Sequence, residues 1–563
     1  MITIRVSKDG ERIGVFTPPE FAERCRIIAG SVWNGNAKAW VYPATPTTAV
    51  QINALFKSTG FKYDSGFSEL LKLGCSVYDN AVSTMNADAD KLPMPPMFRR
   101  DRPLWIHQLR AFWYATALWG GLDNPTGGGA MIPLRMGRGK TSVAIHLIAN
   151  FQFDKVLIVA PAKVVNVWPE EFEKNDPLGC KVLALRNGSV KQRTRAMHEH
   201  LDNVYRNFPG KPAVIVTNYE AVRSSPLKEY TTEKIQWDCV VLDESHRIKQ
   251  PSGITSKWAA KVARNSKHRL ALTGTPMPHS PLDIFAQYRF LDFSILGTSW
   301  TKCRSHYADM GGFGGHQIVS YRHQDELSEK FYSIAYRIKP EEDVVARADP
   351  IKITRKAPLG KGKSMYWEMH NNMITQIKDG TIATAANALV KMLRLQQITG
   401  GHLKDEDGVI HHVDEAKGDL LADVLEDLDQ REPIVVFCNF HADIDQVRKI
   451  CVESGRTVSE LSGRLDELAD WKDGKTDVLV AQIQSGKEGI SLVRAQYSIY
   501  YSVGFSLADY EQSIARTDRP GQKATEVTCI HLVVEGTIDE KVYQAISEKR
   551  EIINAVMEYI KSE

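Results

Sequence analysis

None of the eight cysteines in this 563-residue chain is spaced as Cys-x-x-Cys, and none sits in a Cys/His cluster. That excludes a zinc module or a disulfide framework and points to reduced, packed thiols. No apolar run is long enough to span a bilayer, and the N-terminus lacks a basic-then-apolar leader. The expectation is a soluble intracellular protein, cytoplasmic or nucleoid-associated (in the host cell if viral). A dominant charge is missing too: 71 basic against 68 acidic residues leave a formal net charge of +3, so a polyanion partner would need a local basic cleft. No internal repeat or low-complexity tract stands out.

What is present is ordinary globular composition, 43% hydrophobic and 25% charged, in a chain too long for one core. Ile2, Ile4 and Val6 alternate, Asp9-Gly10 supplies a tight turn, and Ile13 and Val15 resume the alternation. A short helix over 19–28 follows, then Trp33 and Trp40 on either side of an Asn-Gly-Asn turn, and an amphipathic helix over 47–56. The Asp-, Pro- and Met-rich stretch 86–97 reads as a linker. Beyond Trp105, continuous aliphatic runs alternate with helices, as expected of parallel strands buried on both faces: 156–160, 213–216, 239–242 and 268–272, then 434–437, 478–481, 497–500 and 528–532. The fold class is therefore α/β, with two parallel-sheet lobes, helical insertions between them and a small α+β domain in front. The expected boundaries are 1–90 (N-terminal domain), 91–292 (first lobe), 293–415 (insertions and linker), 416–535 (second lobe) and 536–563 (C-terminal brace helix).

Met136-Gly-Arg-Gly-Lys-Thr141 leads into a helix. Glycines let backbone N–H groups approach phosphate oxygens, and the helix N-terminus adds a favourable dipole. Met136, Gly137, Arg138 and Gly139 would cradle the phosphates, Lys140 would reach the β- and γ-phosphates, and the Thr141 hydroxyl would ligate Mg2+. The full Gly-x4-Gly-Lys-Thr spacing would put glycine at Leu134, so an ordinary Gly-rich turn competes on this motif alone. Asp243 and Glu244 follow an aliphatic strand, which places both carboxylates at the edge where open α/β sheets bind ligands. Asp243 would hold the metal through water, and Glu244 would orient and deprotonate the attacking water.

With these two motifs in place, the residues resemble the helicase-like ATPases of superfamily 2, specifically the SWI/SNF-related branch, over roughly 104–549. Gln108 looks like the glutamine that reads adenine; 158–161 with Trp168 and Glu171 is similar to motif Ia; 217–220 and 272–276 resemble the tracts that follow. In the second lobe 435–437 looks like motif IV, 485–492 like a divergent motif V containing Gly489, and 512–522 like motif VI. The departures are Leu134 and Arg135 in place of acidic residues, and Lys487 and Glu488 in place of small ones.

The resemblance implies two RecA-like lobes, with ATP and Mg2+ as cofactors and Glu244, Asp243, Lys140, Gln512, Arg516 and Arg519 as the catalytic set. Arg516 and Arg519, three apart on an expected helix, would answer the γ-phosphate charge. It further implies a DNA-dependent ATPase, expected as a monomer, that translocates on duplex DNA and remodels or anneals branched or forked DNA. Backbone contacts are expected at Lys163, Asn218, Thr273, Lys487 and Arg494, with Thr273 also suited to couple the ATP and DNA sites. The Trp33–Trp40 segment resembles the HARP domain of annealing helicases, in which the module is associated with forked DNA; core packing of both rings is the competing reading. A strand-separating helicase on DNA or RNA, and a nucleotide-switched scaffold, are the alternatives. His411 and His412 read as exposed hairpin residues.

Overall fold

The structure is a computed structural model that describes all residues except 1, 89–90, 136, 163, 279, 312–316, 340–349, 379–384, 406–407, 485–489, 520–521, 525 and 549–563. It divides into two compact units, residues 1–344 and 345–563.

The first unit begins with a five-stranded sheet in the order Val32–Asn34, Ala39–Pro43, Arg12–Phe16, Ile2–Val6, Phe61–Tyr63. The Asp9-Gly10 turn joins the first hairpin, with Gly10 at φ 75°. Alternation decides the faces: Ile2, Ile4, Ile13 and Val15 point into a small core that Trp40, Tyr42, Ile52 and Phe67 complete. The helix Pro46–Phe56 starts where expected, its N-cap Thr45 accepting from Thr48 N–H. Next comes the helix Ser65–Asn86, and the linker after it is tied down. Fully buried Arg110 donates from Nη1 to the carbonyls of Thr84 (2.7 Å) and Ala87 (2.8 Å), and Asn150 exchanges two hydrogen bonds with the Met97 backbone.

Each unit carries one six-stranded sheet in which every pairing is parallel. In the first unit the order is Gly128–Ile132, Ser266–Leu272, Trp237–Asp243, Lys155–Ala160, Ala213–Asn218, Lys181–Leu185. In the second it is Ile351–Ala357, Thr528–Val534, Tyr497–Tyr500, Ile434–Cys438, Val478–Gln482, Val458–Leu461. Counted along the chain within each sheet, both read 1-6-5-2-4-3. The central strands are buried on both faces, which is why they are unbroken aliphatic runs.

Ile351–Ala357 lies inside the stretch expected to be insertion. It is a sheet edge, nearly every residue of it exposed, so it carries Lys352, Arg355 and Lys356 instead of an apolar run. Gly128–Ile132 also escaped the aliphatic pattern, because its glycines are needed for packing: a Cβ on Gly129 would collide with the Leu291 carbonyl. His411 and His412 do lie exposed on a hairpin, Ile410–His412 paired with His402–Lys404. Of the C-terminal stretch, Ile538–Ser547 is helical and contributes Ile538, Val542, Ala545 and Ile546 to the second unit's own core. Among the described residues no helix is long and apolar enough to cross a membrane.

That helix is held by a buried charge pair. Lys417 Nζ lies 2.6 Å from Asp539 Oδ2, with side chains 1% and 4% exposed, and Thr399 donates to Asp539 Oδ1 at 3.0 Å. Removing one partner strands the other charge in a low-dielectric core. Lys417→Met is expected to destabilise the second unit by about 3–5 kcal/mol, and adding Asp539→Asn to recover part of that. Denaturant midpoints of the three proteins check both expectations.

Candidate active site

The strand Gly128–Ile132 pairs in register with Ser266–Leu272, and that strand with Trp237–Asp243, so that Ile132, Leu272 and Asp243 lie abreast. The loops that leave these ends therefore emerge side by side, within about 10 Å at the ~4.8 Å spacing of strands. They are the phosphate loop, the tract beginning at Thr273, and Asp243–Glu244.

In the phosphate loop, Gly137 (φ 77°) and Gly139 (φ 75°) adopt the left-handed conformation, and the helix Lys140–Phe151 starts directly after them. Gln108 Nε2 donates to the Arg138 carbonyl at 3.2 Å while its Oε1 accepts from Trp105 N–H at 3.1 Å; His107 Nε2 lies 3.1 Å from the same carbonyl. A Cβ on Gly139 would collide with Gln108 Nε2. Leu134 is in the core, and its carbonyl accepts from Lys140 Nζ at 3.0 Å. The missing glycine of the spacing is thus a residue whose side chain packs inward and whose backbone holds the lysine. Thr141 sits in the helix's first turn, half-buried. Met136 lies outside the described residues.

Asp243 ends its strand buried. Trp168 donates from Nε1 to its Oδ2 at 3.1 Å, and Tyr219 donates its hydroxyl to the Asp243 carbonyl at 2.7 Å. Burial and the Glu244 carboxylate push the Asp243 pKa up, while the Lys140 ammonium and the Trp168 N–H pull it back. Glu244 is a non-glycine residue at φ 51°, a conformation that costs about 1–3 kcal/mol and persists only where neighbours enforce it. Here Ser245 donates to Gln287 Oε1 at 2.7 Å, and Gln287 donates to the Pro276 carbonyl at 2.7 Å. His246 Nδ1 lies 3.5 Å from Glu244 Oε2 and 3.1 Å from Thr273 Oγ1, which also accepts from Thr275 N–H at 3.1 Å. Burial holds the His246 pKa below its ordinary value. This Glu244–His246–Thr273 chain and the Trp168 donor are roles that the motifs located without revealing, because contacts between distant segments leave no spacing signal.

Lys140, backbone N–H groups at a helix start, a buried carboxylate and a second carboxylate beside it form a donor set that fits a nucleoside triphosphate with a divalent cation. The cation would be held by Thr141 and Asp243.

In the second unit, Leu507–Thr517 is an α-helix anchored by Ser513, which lies 2.9 Å from the Tyr500 hydroxyl, and by Thr517, whose Oγ1 accepts from Ser498 at 3.2 Å. Gln512 is half-buried on it. Arg516 lies in its last turn, but Arg519 stands past its end, so the two do not share a helical face as expected. A different device brings them together: both donate from Nη1 to the Ile490 carbonyl at 3.4 Å. Gly489 lies outside the described residues.

The residues expected to touch DNA are dispersed in role. Lys163 and Lys487 lie outside the described residues. Asn218 is half-buried, accepting from Arg193 at 3.0 Å and donating to Glu220 at 2.7 Å. Thr273 is fully buried, so its side chain is not at the surface. Arg494 lies over the Trp471 ring, 5.2 Å from its centroid, and donates to the Trp471 and Thr476 carbonyls, so its guanidinium is used in holding a loop. Trp40 is in the N-terminal core at 8% exposure, whereas Trp33, with its ring centroid 5.5 Å away, is 49% exposed.

Comparison with known proteins bears on this arrangement. A model of the SNF2-related domain matches residues 83–399, and one of the helicase conserved C-terminal domain matches 416–521. The chain is 25% identical over 504 residues to an uncharacterized ATP-dependent helicase of Mycoplasma pneumoniae, covering 85% of this chain and 44% of that protein. It is 22% identical over 537 residues to the DNA repair and recombination protein RAD54-like of Homo sapiens, covering 85% and 70%. A solved Sulfolobus solfataricus SWI2/SNF2 ATPase core in complex with dsDNA is 20% identical, with 84% and 96% covered and a TM-score of 0.38. The chain spans less than half the length of the Mycoplasma pneumoniae relative.

Two outcomes follow from this geometry. Glu244→Gln is expected to lower nucleotide hydrolysis by about 10²–10⁴-fold with nucleotide binding retained, measured by steady-state turnover and by equilibrium titration. Trp168→Phe removes a donor to the charged form of Asp243 and so raises its pKa. The acid limb of the pH–rate profile should then move to higher pH by about one unit.

Proposed function

The chain belongs to the family of the SNF2-related domain, and on that membership we propose that it is an ATP-driven motor acting on double-stranded DNA. The observation that carries this reading is the register of Ile132, Leu272 and Asp243, which brings the phosphate loop, the Thr273 tract and the carboxylate pair to one edge of one sheet. Bound ATP and Mg2+ supply a phosphoanhydride and a Lewis acid there. Lys140 and the loop N–H groups would then hold phosphate oxygens, and Asp243, whose charged form Lys140 and Trp168 favour against burial and Glu244, would hold the cation with Thr141. Glu244 Oε takes a proton from water. Its contact with His246, and through His246 with Thr273, lets the state of the hydrolytic carboxylate alter the tract behind it. Arg516 and Arg519, pre-assembled on the Ile490 carbonyl, are the arginines proposed to answer the charge that develops on the γ-phosphate.

We further read the N-terminal domain as a HARP-like module that directs the motor to forked DNA. Support comes from Trp33, which separates two surface depressions of about 760 and 290 Å3. Arg26 and Lys302 line the first, beside a Lys330 already paired with Glu326 at 2.8 Å, and Arg12 lines the second, with no carboxylate in either lining among the described residues. An unpaired base stacking on that ring, with phosphates on the cations, gives a preference for junctions without base readout.

Duplex DNA is expected to stimulate ATP turnover at least ten-fold; equal rates with and without DNA would sink the motor reading. Trp33→Ala should leave duplex stimulation intact and weaken fork binding by about 5–100-fold, the worth of one stacked base. Competition between forked and linear duplex of the same sequence measures it.

A further inference from the structure

Within the first unit, a cavity of about 670 Å3 lies between the N-terminal domain and the lobe that follows. It opens at the starts of the strands Gly128–Ile132 and Ser266–Leu272, whereas the phosphate loop and Thr273 leave from their ends. At ~3.3 Å per residue, strands of five and seven residues separate the two places by roughly 16–23 Å, so this is not the nucleotide site described above.

Its lining is strongly cationic. Lys257, Arg264, Lys267, Arg269 and Arg289 face it, and Asp292 is the one carboxylate among the described lining residues. Asp292 is already engaged, accepting from Thr47 Oγ1 at 2.7 Å and from Ser294 N–H at 2.9 Å. Arg269 is fixed by the carbonyls of Leu291 (2.8 Å) and Ser266 (3.0 Å), and Arg289 by the Pro251 carbonyl (2.8 Å) and Ser256 Oγ (2.7 Å). These partners are neutral dipoles; the Asp292 carboxylate offsets part of the Arg269 charge, whereas Arg289 is held with no carboxylate hydrogen-bonded to it among the described residues. Arg289 Nε is buried without a hydrogen-bond partner. At the mouth, Lys257, Arg264 and Lys267 are exposed and form no ion pair among the described residues. The remaining wall is apolar, with Val77, Leu118 and Phe293 on it.

A cavity in the ordinary size range for small ligands, with two fixed guanidiniums, exposed cations at its mouth, a single carboxylate that is already engaged and an apolar wall, calls for a multivalent anion attached to an apolar body. We propose that it binds the phosphate monoester of a nucleotide, the phosphate on the cations and the base against the apolar wall. The same chemistry is offered by a free nucleotide and by the 5′-phosphorylated end of a strand. The inference stands apart from the motor reading, since no part of the hydrolytic site contributes.

The test is anisotropy titration of the full chain with a fluorescent AMP analogue, and with DNA hairpins that carry either a 5′-phosphate or a 5′-hydroxyl. Triple substitution Lys257→Ser, Arg264→Ser, Lys267→Ser is expected to weaken AMP binding at least ten-fold while ATP turnover stays at the wild-type rate. The charge-preserving set Lys257→Arg, Arg264→Lys, Lys267→Arg should retain binding, which separates charge from a disturbed fold. If the triple variant also loses discrimination between the two hairpins, strand ends are ligands; if only AMP binding falls, the ligand is a free nucleotide. Absence of binding by either probe, or unchanged binding in the triple variant, would overturn the proposal.

Discussion

Because Gly128–Ile132, Ser266–Leu272 and Trp237–Asp243 run parallel and pair with Ile132, Leu272 and Asp243 abreast, segments more than a hundred residues apart in the chain meet at one edge. Parallel strands need crossovers, and the crossovers put every exit on the same side. Each feature of the candidate site depends on that constraint. Lys140 influences Asp243 because their strands lie two places apart in one sheet, and His246 reaches Thr273 because theirs are neighbours. Displacing the Ser266–Leu272 strand would separate the phosphate loop from the carboxylates, although it contributes no charged group to either.

The unfavourable conformations at the site are enforced by packing around them. Glu244 is left-handed without being glycine, and its neighbours Ser245 and His246 are tied to Gln287 and Thr273. Gly139 is left-handed with Gln108 pressed against it. At Glu244 hydrogen bonds from other elements hold the two residues that follow, and at Gly139 Gln108 fills the place a side chain would take, so both backbones are fixed before any ligand binds.

Much of this was legible in the residues themselves. The aliphatic strands showed because burial on both faces demands unbroken apolar runs, and Lys140–Thr141 and Asp243–Glu244 showed because a Gly-rich helix start and a carboxylate pair at a strand's end are patterns contained within a few residues. Where burial is one-sided or absent, the pattern failed. Ile351–Ala357 is an exposed edge with a basic sequence, and without it the shared 1-6-5-2-4-3 order of the two sheets cannot be seen, since no sequence repeat accompanies it. The surroundings of Arg494, Thr273 and Trp40 were not legible for a related reason: cationic, hydroxyl and aromatic side chains serve interior and exterior equally well.

Sequence alone therefore determined the α/β class, the phosphate loop and the strand-borne carboxylates, because each follows from short-range periodicity or from chemistry within a few residues. Only the tertiary structure decided which groups tune them: Trp168 on Asp243, His246 and Thr273 behind Glu244, and Ile490 beneath Arg516 and Arg519. It also decided that Trp33 faces solvent while Trp40 does not, and that five cations from four elements gather around one cavity. Such pairings join residues far apart in the chain, and the free energy that selects them comes from packing the whole sheet, which no local window of residues contains.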